Sequence, residues 1–223
     1  MSGYGSYLPV GLRVDGRRVV VIGGDHEAAT RIEKLLAARA EVVVVSAAVV
    51  PAIEDRAAQG AVRLVRRDYR RGDLAPAVAA FVCDVRFAAR ARAEADRRRV
   101  LLNVLDRSEL SDFISVAWFA RDGLQVAVHS SGKSAALARR IREDLERRYG
   151  EAFSGLTRAL GELRTQVRQV ISSDEARRRF WLETVDAALV ARVASGTFDR
   201  DGFQTRVMAR ARALARVGER TET

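Results

Sequence analysis

Three places in the chain concentrate residues able to do chemistry. The first is Gly23-Gly24-Asp25-His26-Glu27-Ala28, set between an apolar run and an amphipathic one. It occupies the position of a Gly-x-Gly-x-x-Gly/Ala turn. There the first glycine makes the strand-to-helix bend, the second admits a pyrophosphate, and a small third residue lets helix pack on strand. Gly23 and Ala28 fill the outer roles, but Asp25 stands where the second glycine belongs. Two readings of Asp25 stand: a cofactor contact, or a helix cap favoured by the positive end of the helix dipole. A glycine pair after a strand also fits an ordinary βα turn. The second place is Asp106, a carboxylate at the end of the run Val100–Leu105, able to act as a general base or simply to hold a turn. The third is His129-Ser130-Ser131-Gly132-Lys133-Ser134. Its imidazole suits proton or metal chemistry. Lys133 and Ser134 can hold carboxylates, and Ser134 equally reads as an N-cap.

The elements that must position these residues follow from periodicity. Val19 to Ile22 is a buried strand, and Ala28, Ala29, Ile32, Leu35 and Leu36 share one face of a helix. Glu41 to Ser46 is a second strand, ending at Ser46, and its unbroken valines imply a sheet covered on both faces. A helix runs from Pro51 to the Gln59-Gly60 stop, followed by strands at 62–65 and 79–83, a helix over 87–99 and a strand over 100–105. Strands alternating with helices predict a doubly wound parallel sheet, an α/β domain over 1–112. The pattern then changes. Residues 113–119 and 124–128 flank Arg121-Asp122-Gly123, the signature of a β-hairpin. A lone hairpin is marginal in water, so it is expected to pack on something, a second subunit being the natural choice. With a helix over 134–149 it makes a dimerisation region, 113–150. Helices over 152–171, 174–194 and 203–216 complete a helical C-terminal domain, 151–223.

Composition bounds the function. The 223 residues are 48% hydrophobic, enough for a sizeable core. No apolar run approaches the ~18 residues needed to span a bilayer, and the first residues lack a basic stretch followed by an apolar core, so a cytoplasmic protein with no membrane association is expected. The single cysteine, Cys83, excludes an intrachain disulfide and a cysteine-based zinc site. The net charge of +10 raises the question of nucleic acid. All but two of the 39 basic residues are arginine, and the excess is spread evenly with no basic arm, which argues against it.

The order and spacing of several motifs are similar to the dehydrogenase/chelatase module of the siroheme synthase family. They are Tyr7-Leu-Pro-Val10, Val21-Ile-Gly-Gly24, Asn103-Val-Leu-Asp106, Phe113-Ile114, Val126-Ala-Val-His-Ser-Ser-Gly-Lys-Ser134, Leu137-Ala-Arg-Arg-Ile-Arg-Glu143 and Arg177-Arg-Arg-Phe-Trp181. The resemblance implies a homodimer with a Rossmann-type NAD domain. It implies oxidation of precorrin-2 to sirohydrochlorin by NAD, then insertion of ferrous iron in the same cavity. By this resemblance Asp106, Ser130 and His129 are catalytic candidates, and Asp106 and His129 are also candidate contacts to the entering iron. Gly23, Gly24, Asp25, Ser46 and Asp84 would face NAD, while Asn103, Lys133 and Ser134 would face the tetrapyrrole. For His129, a loop histidine bonded to backbone is the competing reading.

Departures from the family pattern cluster on the dinucleotide side. They are Asp25, Val82-Cys83-Asp84 in place of Thr-Asp-Asp/Asn, Ala88 for an asparagine, and Ser46 with no acid at the end of the second strand. The hairpin side departs as well, with His129 for a serine, Ala135 for a proline and no proline after Phe113-Ile114. Three functions follow: the full bifunctional enzyme, a chelatase that acts without NAD, and a non-catalytic tetrapyrrole-binding protein.

Overall fold

The structure is a computed structural model that describes residues 7–221, with side chains from 7 to 216. β1 (Arg18–Ile22) and β2 (Glu41–Val45) each have a continuous apolar run with no polar alternation. With β3 (Arg63–Val65), β4 (Ala79–Val82) and β5 (Leu101–Val104) they form a five-stranded parallel sheet in the order β3-β2-β1-β4-β5. Successive side chains point to opposite faces. Val20, Ile22, Val43 and Val45 therefore enter one core, and Val19, Val21, Val42 and Val44 the other. Each such burial is worth ~1.5–3 kcal/mol. Because both faces are apolar, hydrophobicity alone sets the register weakly, and the polar strand ends help: Arg18 lies opposite Glu41 and pairs with it at 2.6 Å. After β3 the chain returns to pair β4 with β1, so the sheet changes direction between those two strands. The crevice beyond their carboxyl ends is where open α/β sheets bind ligands.

Three helices cover this sheet. α1 (His26–Ala37) buries Ala28, Ile32 and Leu35, with Glu27 in its first turn and Lys34 in its last, both favourable to the helix dipole. α2 (Pro51–Ala58) has proline at its start. α3 (Ala88–Arg98) begins one residue later than the periodicity predicts, because Phe87 closes a 3-10 turn over Val85–Phe87. Between β3 and β4 the chain makes no helix. The segment is held instead by Glu94 of α3, whose carboxylate accepts from Tyr69 Oη at 2.6 Å, Gly72 N at 2.9 Å and Arg98 Nε at 2.8 Å. Glu94 is 1% exposed. Burial alone raises its pKa, but these hydrogen bonds more than offset that and hold the carboxyl below its ordinary value.

The chain divides into two units between Ser115 and Val116. In the second unit β6 (Ala117–Arg121) and β7 (Leu124–Val128) pair antiparallel around Asp122-Gly123, both with positive φ. The first hairpin strand was expected over 113–119; it starts at Ala117 instead. Residues 113–115 belong to the sheet unit. Asp112 and Ser111 side chains accept from Leu102 N and Val104 N of the edge strand β5, at 2.8 and 2.9 Å. Phe113 stands edge-on to Phe81 at 5.3 Å.

Five helices complete the second unit: α4 (Ala135–Arg148), α5 (Ala152–Val170), α6 (Asp174–Thr184), α7 (Ala187–Ala194) and α8 (Arg200–Thr221). The single helix expected over 174–194 is two. Asp186 accepts from Leu189 N at 2.7 Å and caps a new start. The last helix begins at Arg200 rather than 203 and reaches Thr221. Phe153, Leu156, Leu163 and Val167 of α5 pack with Leu189 and Val193 of α7 and Phe203 and Val207 of α8 in one core. Among the described residues no helix is long and apolar enough to cross a membrane.

Candidate functional site

The carboxyl edge of the parallel sheet carries Gly23 after β1, Ser46 after β2, Asp84 after β4 and Asp106 after β5. Gly23 has φ +120, and a β-carbon there would lie 2.8 Å from Asp84 N, so the bend between β1 and α1 requires glycine. Gly24 is also required. A β-carbon on it would collide with Ala48 O and the Ser46 hydroxyl, because the segment after β2 packs on Gly24 and Val50 N donates to Gly24 O at 2.8 Å. The first amides of α1 have no intrahelical acceptor. Asp25 Oδ1 accepts one of them, Ala28 N, at 2.8 Å, which makes Asp25 the N-cap. The frame thus fits a dinucleotide in its bend, its switch point and its outward amides. The Asp25 carboxylate, with that of Glu27 in the first turn of the same helix, opposes a pyrophosphate there.

Neighbouring side chains are committed locally. The Ser46 hydroxyl donates to Ala48 O at 2.6 Å. Asp84 accepts from Arg86 N at 3.2 Å and pairs with its guanidinium at 2.6 Å; the Arg86 hydrogen bonds hold this carboxyl below the usual range. The Cys83 thiol, 5% exposed, is pushed up to about 11 by burial; Arg31 pulls against that rise and the Asp25 charge adds to it. Arg31 is the residue here that sequence reasoning passed over. Its guanidinium lies 5.4 Å from the centre of the Phe81 ring and hydrogen-bonds Ser115. In the sequence it is one more arginine on the polar side of a helix, without a motif to mark it.

Asp106 differs from these. It is exposed and adopts φ +55, the left-handed conformation that costs an ordinary residue of order 1 kcal/mol. Among the described residues its carboxylate has no hydrogen-bond or ion-pair partner, so it caps no helix. It follows directly on Leu105, whose N–H donates to Val82 O at 2.9 Å. Asn103, 6% exposed, donates from Nδ2 to Phe113 O at 2.9 Å and so ties down the segment that leaves the strand.

In the second unit the 129–134 loop is closed by its own side chains. Ser130 Oγ accepts from Ser134 N at 3.0 Å and donates to Ser134 O at 2.9 Å. Ser131 and Gly132 both have positive φ, +52 and +75. Ser131 N donates to His129 Nδ1 at 3.2 Å, which leaves the neutral ring's proton on Nε2. Ser134 Oγ accepts from Leu137 N at 3.1 Å and is the N-cap of α4. Lys133 is exposed beside that helix start. Asp106 and His129 belong to different units, and among the described residues no group of three or more His, Cys, Asp or Glu side chains forms a metal-ligand set.

Comparison with known proteins divides the chain in the same order as its elements. Residues 10–117 match a family model described as "Putative NAD(P)-binding". Residues 121–148 match "Sirohaem biosynthesis protein central", and residues 152–200 match "Sirohaem synthase dimerisation region". Siroheme synthase 1 of Serratia proteamaculans is 34% identical over 192 residues, covering 85% of this chain and 40% of that protein. Siroheme synthase 2 of Aeromonas salmonicida is 34% identical over 205 residues, covering 89% and 41%. The chain therefore spans about two fifths of the length of these relatives. Among solved structures, "SirC, precorrin-2 dehydrogenase" shares the fold with a TM-score of 0.71 at 24% identity, over 90% of this chain and 98% of that one.

Proposed function

The chain belongs to the siroheme synthase family, as its dehydrogenase/chelatase module, and from that premise we propose that it oxidises precorrin-2 to sirohydrochlorin with NAD. The observation that carries this reading is Asp106. It is an unpartnered carboxylate, held in a left-handed conformation at the carboxyl edge of a sheet whose switch point bears the Gly23-Gly24 bend. NAD, when bound, supplies the hydride acceptor. Gly23 and Gly24 and the first amides of α1 would hold its pyrophosphate, Ser46 its ribose, and Asp84 would line the β4 side. Asp106 takes the proton that leaves the tetrapyrrole as the hydride departs.

Ferrous iron then enters as a substrate, and Asp106, having released its proton to water, accepts the two pyrrole N–H protons one after the other and passes each to water. In the second unit, the loop's likeness to the family motif supports Ser130 and His129 as catalytic residues and Lys133 and Ser134 as contacts to the substrate's carboxylates. The working form is a homodimer, with the β6–β7 hairpin and α4 as its contact region. Asp106→Ala tests the assignment. Oxidation and iron insertion should both fall by orders of magnitude while NAD affinity is unchanged, and undiminished turnover would remove Asp106 from the chemistry.

One observation favours a second reading, a chelatase that acts without oxidation: the Asp25 carboxylate occupies the start of α1. Calorimetric titration with NAD separates the two. Saturable binding supports the dehydrogenase, and no heat at millimolar NAD supports the chelatase alone.

A further inference from the structure

The helical unit contains a cleft of about 830 Å³ between α5 and α6, lined by none of the site residues named above. Arg164 and Arg168 project into it from successive turns of α5, and Arg178 from α6. All three are exposed, and among the described residues none has a carboxylate or carbonyl partner. Many arginines of this chain are paired, including Arg177 beside them, which bonds Ile171 O and Ser172 O and takes up Asp174, the cleft's one carboxylate. Arg164 and Arg168 stand at i and i+4, a spacing at which like charges cost a helix a few tenths of a kcal/mol. The floor is apolar. Leu160, the half-buried Trp181 and the exposed Leu182 form it, Leu182 being 71% exposed. Three uncompensated guanidinium groups around an aromatic and aliphatic floor, in a concavity of ligand size, match one chemistry: a flat apolar body with several carboxylates.

We infer that this cleft is a binding site for such a polycarboxylate. Its identification as a tetrapyrrole rests on the function proposed above; the ligand class rests on the cleft itself. The cleft lies in the segment that matches a dimerisation region, so a second copy of this chain is the rival occupant. The arginines favour the ligand. One polyanion neutralises all three at once, whereas the lining offers no free carboxylate with which a second copy could pair reciprocally across a two-fold axis.

The test uses the full chain with Trp118→Phe, which leaves Trp181 as its single indole. Uroporphyrin, a stable polycarboxylate tetrapyrrole, should quench Trp181 emission saturably, and a cationic porphyrin should not. R164Q/R168Q/R178Q, at exposed positions, should keep the native circular dichroism and weaken uroporphyrin about tenfold or more, with a shallower salt dependence. Unchanged affinity in the triple variant overturns the inference. So does a triple variant that becomes monomeric by sedimentation while still binding uroporphyrin, since the cleft is then a subunit contact. Precorrin-2 oxidation by the unaltered chain is measured separately. Arginine-dependent uroporphyrin binding without oxidation rejects the proposed function and leaves the cleft; oxidation with arginine-independent binding does the reverse.

Discussion

Replacing Asp25 by asparagine separates two effects of one carboxylate. As N-cap, its Oδ1 accepts from Ala28 N at 2.8 Å, and losing such a cap to alanine costs ~1 kcal/mol. As a charge, it opposes a pyrophosphate at the same helix end. Two unit charges about 5 Å apart interact by ~3 kcal/mol at an effective dielectric near 20. Asp25 is exposed, and water and salt reduce this to roughly 1 kcal/mol per phosphate charge. Asparagine caps as well as aspartate but carries no charge. With two phosphate charges, Asp25→Asn should therefore tighten NAD about thirtyfold in low-salt calorimetry while stability stays within ~0.5 kcal/mol. Asp25→Ala should give the same gain in affinity with ~1 kcal/mol lost in urea denaturation. The gain should shrink as salt is added. An Asp25→Asn protein that binds NAD no more tightly, or more weakly, would refute the reasoning, because the carboxylate would then lie away from the phosphates or assist them.

Other perturbations read different parts of the structure. Asp106→Gly relieves the left-handed backbone at φ +55, so urea denaturation should show a gain of about 0.5–1 kcal/mol alongside loss of turnover; a less stable glycine variant would contradict that geometry. Cys83, buried and pushed up to about 11, should resist a thiol reagent at pH 8 in the native chain and react on unfolding. Glu94→Gln should cost ~2 kcal/mol by weakening the Tyr69, Gly72 and Arg98 bonds. Because the Glu94 carboxyl titrates lower in the folded chain than its ordinary 4.5, its contribution is complete above that value and is lost as pH falls through the native pKa. Acid denaturation followed by circular dichroism should show that loss in the parent and not in Glu94→Gln.

The parallel sheet was legible because nothing in it conflicts: valine runs, helix stripes and turn residues all point the same way. Asp25 as a cap and Ser134 as an N-cap were among the readings of their residue types, and the hydrogen bonds to Ala28 N and Leu137 N select them. The break between α6 and α7 escaped because Val185-Asp186 contains neither glycine nor proline, although an aspartate three residues before a buried leucine is a cap signal. The hairpin began late because Phe113 serves the core of the sheet, where it stands edge-on to Phe81. The left-handed backbone at Asp106 left only a faint trace in sequence, since aspartate is enriched in that conformation but is as common in ordinary turns and caps. The arginine cleft was hidden for another reason. Which arginines lack partners is decided by residues distant in the chain, and a basic run on a helix otherwise reads as a solvated face.

Under the proposed function this chain transfers a hydride from precorrin-2 to NAD with Asp106 as the proton acceptor. Anaerobic incubation of the purified chain with precorrin-2 and NAD tests it most directly, with the nicotinamide absorbance and the sirohydrochlorin spectrum followed together. The account predicts reduced NAD and sirohydrochlorin rising in equal amounts, and neither rising with Asp106→Ala. Precorrin-2 left unchanged by the folded, NAD-bound chain would contradict it, as would undiminished conversion by the Asp106→Ala protein.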